Sequence, residues 1–213
     1  MLSGIPDIIL GMAKSTALPR AAIGCRAHSG WAALVAIGGS PGSPEVILRR
    51  RIVNADPEIP GSKQPFHAAE PLQFPEAKEF LRECTDSTRR LSRQAFEGFI
   101  DELRRKNYET VACGVVLGSG RTLPALDKIL ASHALIHTAE GEFYRNALVE
   151  AGEHCGLKVT GVKERELFER GATELHLSIK QVERCIAELG RPIGPPWTQD
   201  QKYAALVAWL ALM

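Results

Sequence analysis

AIGCRAHSGWAALVAI, residues 22–37, decides how the rest of the chain is read. Small and apolar residues fill it and Gly30 interrupts it, which suits an extended strand better than a helix. Both alternating sets are apolar: Gly30, Ala32, Leu34 and Ala36 on one side, Trp31, Ala33, Val35 and Ile37 on the other. A strand with two apolar faces is covered on both, so it lies centrally in a sheet between two layers. The turn-rich GGSPGSP (38–44) follows, then EVILRRRIV (45–53) as a second strand, and the two make a hairpin. PFHAAEPL (65–72) reads as a third, edge strand.

Beyond residue 75 the period changes. Leu81, Cys84, Thr88, Leu91, Ala95, Phe99 and Leu103 recur at spacings of three and four, which predicts an amphipathic helix over 76–106. A break near TDS (85–87) would divide it if Asp86 or Ser87 capped a new start. TVACGVVLG (110–118) is a buried strand that ends in the loop GSGRT (118–122). Helical pattern resumes over 123–133 and 139–154, with Thr138 as N-cap of the second segment and Gly156 placed for a left-handed C-terminus. LKVTGV (157–162) is a short strand, and ELHLSIKQVERCIAEL and TQDQKYAALVAWLAL close the chain as helices. The order predicts an α/β domain whose mixed sheet is antiparallel at first and parallel afterwards, with helices on both faces. One such domain over 21–213, after a flexible tail at 1–20, accounts for the chain.

Composition excludes more than it selects. The 213 residues are 45% hydrophobic and 24% charged, and the formal net charge is +1. Global charge therefore gives no pull toward nucleic acid or membrane. No apolar run reaches the ~18–20 residues of a membrane span, and no basic region precedes the short apolar stretch near residue 10, so neither a span nor a secretory leader is expected. Five widely spaced cysteines without a CxxC pair read as reduced thiols of a cytoplasmic protein.

Two stretches carry a family resemblance. IGCRAHSGWAALVAIGG resembles the first strand of ribonuclease H-like proteins, and TQDQKYAALVAWLAL is similar to the last helix of RuvC-type resolvases, with Asp200 at the position of a site acid. GVVLGSGRT with HTAEGEFYRNALVEA is similar to the middle domain of archaeal and eukaryotic peptide-chain release factors, although the loop PGSKQPF offers Gly61 and Gln64 where that family has Gly-Gly-Gln. The resemblance implies a ribonuclease H-like fold, contact with nucleic acid (RNA more than DNA) and a divalent metal, Mg²⁺ or Mn²⁺. It also implies an acid on the first strand, because two ions clamp the attacking and leaving oxygens of a phosphodiester. Here Cys25, Arg26 and His28 stand in that place.

The residues themselves suggest several constellations. On one helix, His133, His137 and Glu140 share a face, a donor set suited to zinc or another first-row metal. The same face reads equally as solvated histidines, and a cap at Thr138 would dissolve it. Glu140, Glu142 and Arg145 form an acid–base or phosphate-binding set, or ordinary helix-surface charge. Gly141 costs a helix roughly 1 kcal/mol relative to alanine and so points to a close approach. Gly118, Ser119, Gly120 and Thr122 offer an anion or nucleotide cradle if the loop opens a helix, and a plain glycine turn otherwise. His28 lines the cleft or is structural. Arg49, Arg50 and Arg51 alternate along a strand, so one set meets solvent or an anionic partner. Trp31 and Trp209 fall in apolar periods and read as core.

The leading expectation is metal-assisted phosphodiester hydrolysis, with His137, Glu140 and Asp200 holding the metal, Arg145 meeting phosphate and His28 lining the cleft. A non-catalytic RNA- or ribosome-associated module is the alternative, favoured by the missing strand-one acid. A nucleotide or small-molecule binder using GSGRT is the third.

Overall fold

A computed structural model describes residues 17–40, 42–120 and 122–213. Residues 1–16, most of the expected tail, lie outside the described residues, and Arg20 of that expected tail already starts a strand. The strands are β1 (Arg20–His28), β2 (Trp31–Ser40), β3 (Ser43–Val53), β4 (Glu109–Leu117) and β5 (Lys158–Lys163). The helices are α1 (Pro65–Ala69), α2 (Phe74–Arg105), α3 (Leu126–Leu130), α4 (His133–His154), α5 (Leu167–Glu174), α6 (Ile179–Leu189) and α7 (Gln199–Leu212). The sheet order is β3-β2-β1-β4-β5. β1, β2 and β3 run antiparallel, and β4 and β5 run parallel to β1. This is the ribonuclease H-like arrangement, with a leading antiparallel part and helical crossovers between the parallel strands.

The decisive stretch is two strands, not one. It folds back at Ser29–Gly30, where His28 pairs with Trp31 and Gly30 takes φ +81. A two-residue hairpin needs that left-handed backbone, and glycine adopts it without a Cβ penalty. The apolar pattern on both faces was a true signal of a central position, and it holds for both strands. Ala22, Val35 and Ile37 enter one core with Val116, Leu206 and Trp209. Ile23, Cys25, Leu34 and Ala36 enter the other with Phe96, Phe99 and Leu148. α5, α6 and α7 cover the first face, and α2 and α4 the second.

α7 lies unusually close to the sheet. Gly24 on β1 is paired with Gly114 on β4, and a Cβ at either would overlap α7's own carbonyls, at Ala204 and Val207 respectively. That side-by-side pair of glycines is the groove in which the helix rests. Arg49 on β3 then donates to the carbonyls of Ile193, Gly194, Pro195 and Pro196, tying down the segment that leads into α7. Thr198 and Gln201 close a capping box at its start.

Other local expectations are corrected. The segment 65–72 is no strand: Pro65 opens the short helix α1, and its free N–H groups find an acceptor on α4. α2 runs unbroken through 85–87, because Asp86 pairs with Arg82 at 2.9 Å and the Ser87 hydroxyl donates to Asp56 at 2.5 Å. Neither side chain is left to cap a new helix. α4 begins at His133, and Thr138 sits inside it with its hydroxyl donating to the Ala134 carbonyl at 3.0 Å. The arginine run divides as expected: Arg51 is exposed and lies over the Trp31 ring at 4.1 Å, while Arg50, on the other side of the strand, pairs with Glu102. Trp209 is core, whereas Trp31 is half-buried and stacks on His28.

Candidate functional site

The carboxyl ends of the parallel strands are where an open α/β sheet offers a crevice. Here β1 and β4 end beside α1 and α4 on one face and the start of α7 on the other. Between them lies a cavity of about 240 Å³ lined by Arg26, Ala27, His28, Ser29, Gln64, His67, Val116, His137, Glu140, Gly141, Arg145 and Glu164. His28, His137, Glu140 and Arg145 were expected in one cleft from the sequence, and all four line it. Asp200 does not line it and acts from behind.

On the α7 face the centre is Asp200. Its Oδ1 accepts from Arg26 Nε and from His28 Nε2, each at 2.8 Å. Arg26 also donates through Nη1 to Glu164 at 2.7 Å, and its guanidinium lies 4.9 Å over the Tyr203 ring. Partial burial pushes the Asp200 carboxyl up, but the hydrogen bonds from His28 and Arg26 and their charges outweigh it and hold it below the usual carboxylate range. An ionised Asp200 accepts from Nε2–H, so the neutral form of the His28 ring carries its lone pair on Nδ1. The His28 ring is further fixed by stacking on Trp31, with centroids 4.2 Å apart and planes 9° apart.

On the other face the centre is Glu140, 4% exposed on α4. Its Oε1 accepts from Phe66 N at 2.8 Å and from His67 N and Nδ1, each at 3.1 Å. A carboxylate from a different helix thus caps α1, which lacks a side-chain cap of its own. Burial pushes the Glu140 carboxyl above the usual range, and the bonds to His67 and Phe66 do not fully offset it. Its Oε2 is buried and has no hydrogen-bond partner. The His67 ring meets those of His133 and His137 edge-on, at centroid distances of 5.4 and 4.8 Å. His133 Nε2 and His137 Nε2 are 3.1 Å apart.

The expected ligand set of His137, Glu140 and Asp200 does not converge. Glu140 is engaged with α1, Asp200 with β1, and among the described residues the trio whose donor atoms gather is His67, His133 and His137. Nor does the site fit the paired divalent ions that a ribonuclease H-like cleft implies. A guanidinium occupies the strand-one position, and the α7 carboxylate, Asp200, already accepts from two side chains on a single oxygen.

Gly118, Ser119, Gly120 and Thr122 do not open a helix, and residue 121 lies outside the described residues. α3 begins only at Leu126 and is five residues long, so Gly118, Ser119, Gly120 and Thr122 have no helix N-terminus behind them. Gly118 serves another end: a Cβ there would meet the Arg145 guanidinium at 2.6 Å and Glu142 at 2.7 Å. Gly141 makes the same room, at 2.7 Å from Arg145 Nη1. Two glycines therefore seat Arg145, which pairs with Glu142 at 3.1 Å and turns toward the cavity. The close approach expected at Gly141 is by a side chain rather than by backbone.

Sequence reasoning missed His67, Arg26 and Glu164 as site members. His67 was hidden because its segment read as a strand. Pro65 two residues ahead, at a helix-opening position, was the signal that would have found it.

No protein-family model matches the chain, and no curated protein sequence does. Among solved structures, RuvC of Thermus thermophilus is similar over 89% of this chain and 91% of its own, at 10% identity and a TM-score of 0.47. T. thermophilus RuvC in complex with a Holliday junction substrate is similar over 89% and 90%, at 11% identity and 0.45. A Ppx/GppA family member of Aquifex aeolicus matches over 74% of this chain and 40% of its own, at 14% identity and 0.35. Similarity at this level carries no activity across, and the fold assignment rests on strand order and connectivity.

Proposed function

We propose that this chain is a ribonuclease H-like hydrolase of phosphodiesters in nucleic acid, RNA before DNA, that works by acid–base chemistry rather than through paired metal ions on carboxylates. The observation that carries the reading is the His28–Asp200 pair opening onto a cavity that also holds Glu140 and Arg145. Asp200 holds the imidazole in one tautomer and orientation, which leaves Nδ1 to take a proton from an attacking hydroxyl. Arg145, seated by Gly118 and Gly141, presents a guanidinium suited to a phosphate oxygen. Glu140 lines the cavity but is engaged with α1, so the His28 imidazolium returns the proton to the leaving oxygen. Nucleic acid as the substrate class is supported by the fold alone, since folds host many activities.

The test is cleavage of end-labelled single-stranded RNA, RNA–DNA hybrid, duplex DNA and a four-way junction by the purified chain. Turnover on one of them, falling about 10²-fold or more in H28Q, is the expected result. Absence of turnover on all four overturns the hydrolase reading. One observation favours a second reading, an RNA-binding module without turnover: Arg26 sits where a metal-holding acid is needed. Saturable RNA binding, lost in R145A and unaccompanied by cleavage, would select it.

A further inference from the structure

The three histidines beside the cleft have no part in the acid–base reading, yet they are the most concentrated set of donor atoms among the described residues. His67 comes from α1, and His133 and His137 come from successive turns of α4. One nitrogen from each gathers within 4.8 Å of the other two. Tetrahedral zinc, with Zn–N bonds of roughly 2.0–2.1 Å, sets its ligand nitrogens roughly 3.3 Å apart. His133 and His137 are already at 3.1 Å, and His67 needs only a small side-chain movement to complete the triangle. The rings meet at interplanar angles of 65° to 82°, so no two of them are stacked face to face.

A second observation points the same way from inside the protein. Glu140 is 4% exposed, has His67 as its one salt-bridge partner among the described residues, and keeps Oε2 buried without a hydrogen-bond partner. A buried carboxylate with so little positive charge near it is costly unless a cation stands close by. Its Oε1 accepts from His67 Nδ1, which leaves Nε2 as the nitrogen free to bind a metal. Carboxylate to imidazole to metal is the outer-shell arrangement that fixes a ligand's tautomer and ring plane. The same oxygen accepts from the backbone of Phe66 and His67, so Glu140 also locks α1 at a set distance from α4. The two elements that supply ligands are thereby prepositioned.

We propose that His67, His133 and His137 form a binding site for a single transition-metal ion of the zinc class, with Glu140 as the positioning residue of His67. Imidazole nitrogens select zinc, cobalt or nickel over magnesium and calcium, which prefer oxygen. Three histidines leave one coordination position, and His67 and His137 both line the cavity, so that position faces the cleft. The site stands apart from the hydrolase reading: it requires neither nucleic acid nor turnover.

Purified full-length chain, stripped with chelator, is titrated with Zn²⁺ by calorimetry and with Co²⁺ by visible absorption. One equivalent of each, with the intense visible bands of four-coordinate cobalt, is the expected result. H133A and H137A should each weaken binding about 100-fold or more. E140Q should weaken it 10- to 100-fold. His133 and His137 are exposed, so these two variants keep the fold, which far-ultraviolet circular dichroism checks. H154N, at the opposite end of α4, should bind as the wild type does. Binding that is absent, that exceeds one equivalent without saturation, or that survives in H133A and H137A overturns the site. So does a preference for Mg²⁺ over Zn²⁺.

Discussion

Asp200 and Glu140 are both helix carboxylates, both bonded to a histidine, and they sit on opposite faces of one sheet at the same end. Their surroundings drive them apart. Asp200 is 24% exposed and shares one oxygen between a guanidinium and an imidazole, so it stays ionised and its pKa falls. Glu140 is 4% exposed, and that burial raises its pKa although two backbone N–H groups and one imidazole donate to its oxygen. A guanidinium beside a carboxylate stabilises it more than backbone amides do, and the donors to Glu140 do not offset its deeper burial. One acid thus orients a histidine from behind the cleft, and the other, which lines it, orders a helix.

The comparison breaks most severely through the glycines under α7. In G24A the added methyl would collide with the Ala204 carbonyl, and α7 would have to lift. A cost of about 3 kcal/mol or more is expected, read as a fall in Tm of roughly 6–12 °C. Amide exchange should show lost protection in α7 with the start of α4 unchanged. A G24A protein that melts with the wild type would refute the packing that brings Asp200 to His28.

Glu140 is the next lever. E140A leaves the Phe66 and His67 amides without their acceptor, at a cost of about 2–3 kcal/mol. E140Q retains a carbonyl oxygen and should lose less than half of that. Urea denaturation separates the two. Equal losses would mean that Glu140 matters for its charge and not as a cap.

The smallest effect, and the one that sharpens the contrast, is the pH response of Asp200. Because its folded pKa lies below its unfolded value, its contribution is present above pH ~4 and fades as pH drops through the folded pKa. D200N should be about 2 kcal/mol less stable at pH 7, and its stability curve should meet that of the wild type in strong acid. A gap that stays constant down to pH 2 would show that the pairing with Arg26 and His28 is not electrostatic.

How much could be read from the residues alone differs between the two centres. The amphipathic period of α2 and the apolar run of TQDQKYAALVAWLAL in α7 are local signals, and both helices are where those signals place them. His133, His137 and Glu140 on one face of α4 follow from helical spacing once the helix is known to start at His133. The hairpin at Ser29–Gly30 was blurred because apolar residues flank the turn on both sides, as they must when both strands are covered. Segment 65–72 was misread because a five-residue helix has almost no period to detect. Its helicity is imposed by Glu140, 73 and 74 residues away in sequence from the amides it caps.

By itself the sequence determined the class of the fold, the central place of the apolar stretch 22–37 in the sheet, the helix faces and the absence of an acid in that stretch. These follow from side-chain period and residue type, which act over a few residues. Only the tertiary structure decided that Asp200 serves His28 and Arg26, that Glu140 serves α1, and that His67 joins His133 and His137. Each of those contacts joins elements distant in sequence, and side-chain direction at such a meeting is set by packing, as at Gly24 and Gly114, which no local pattern records.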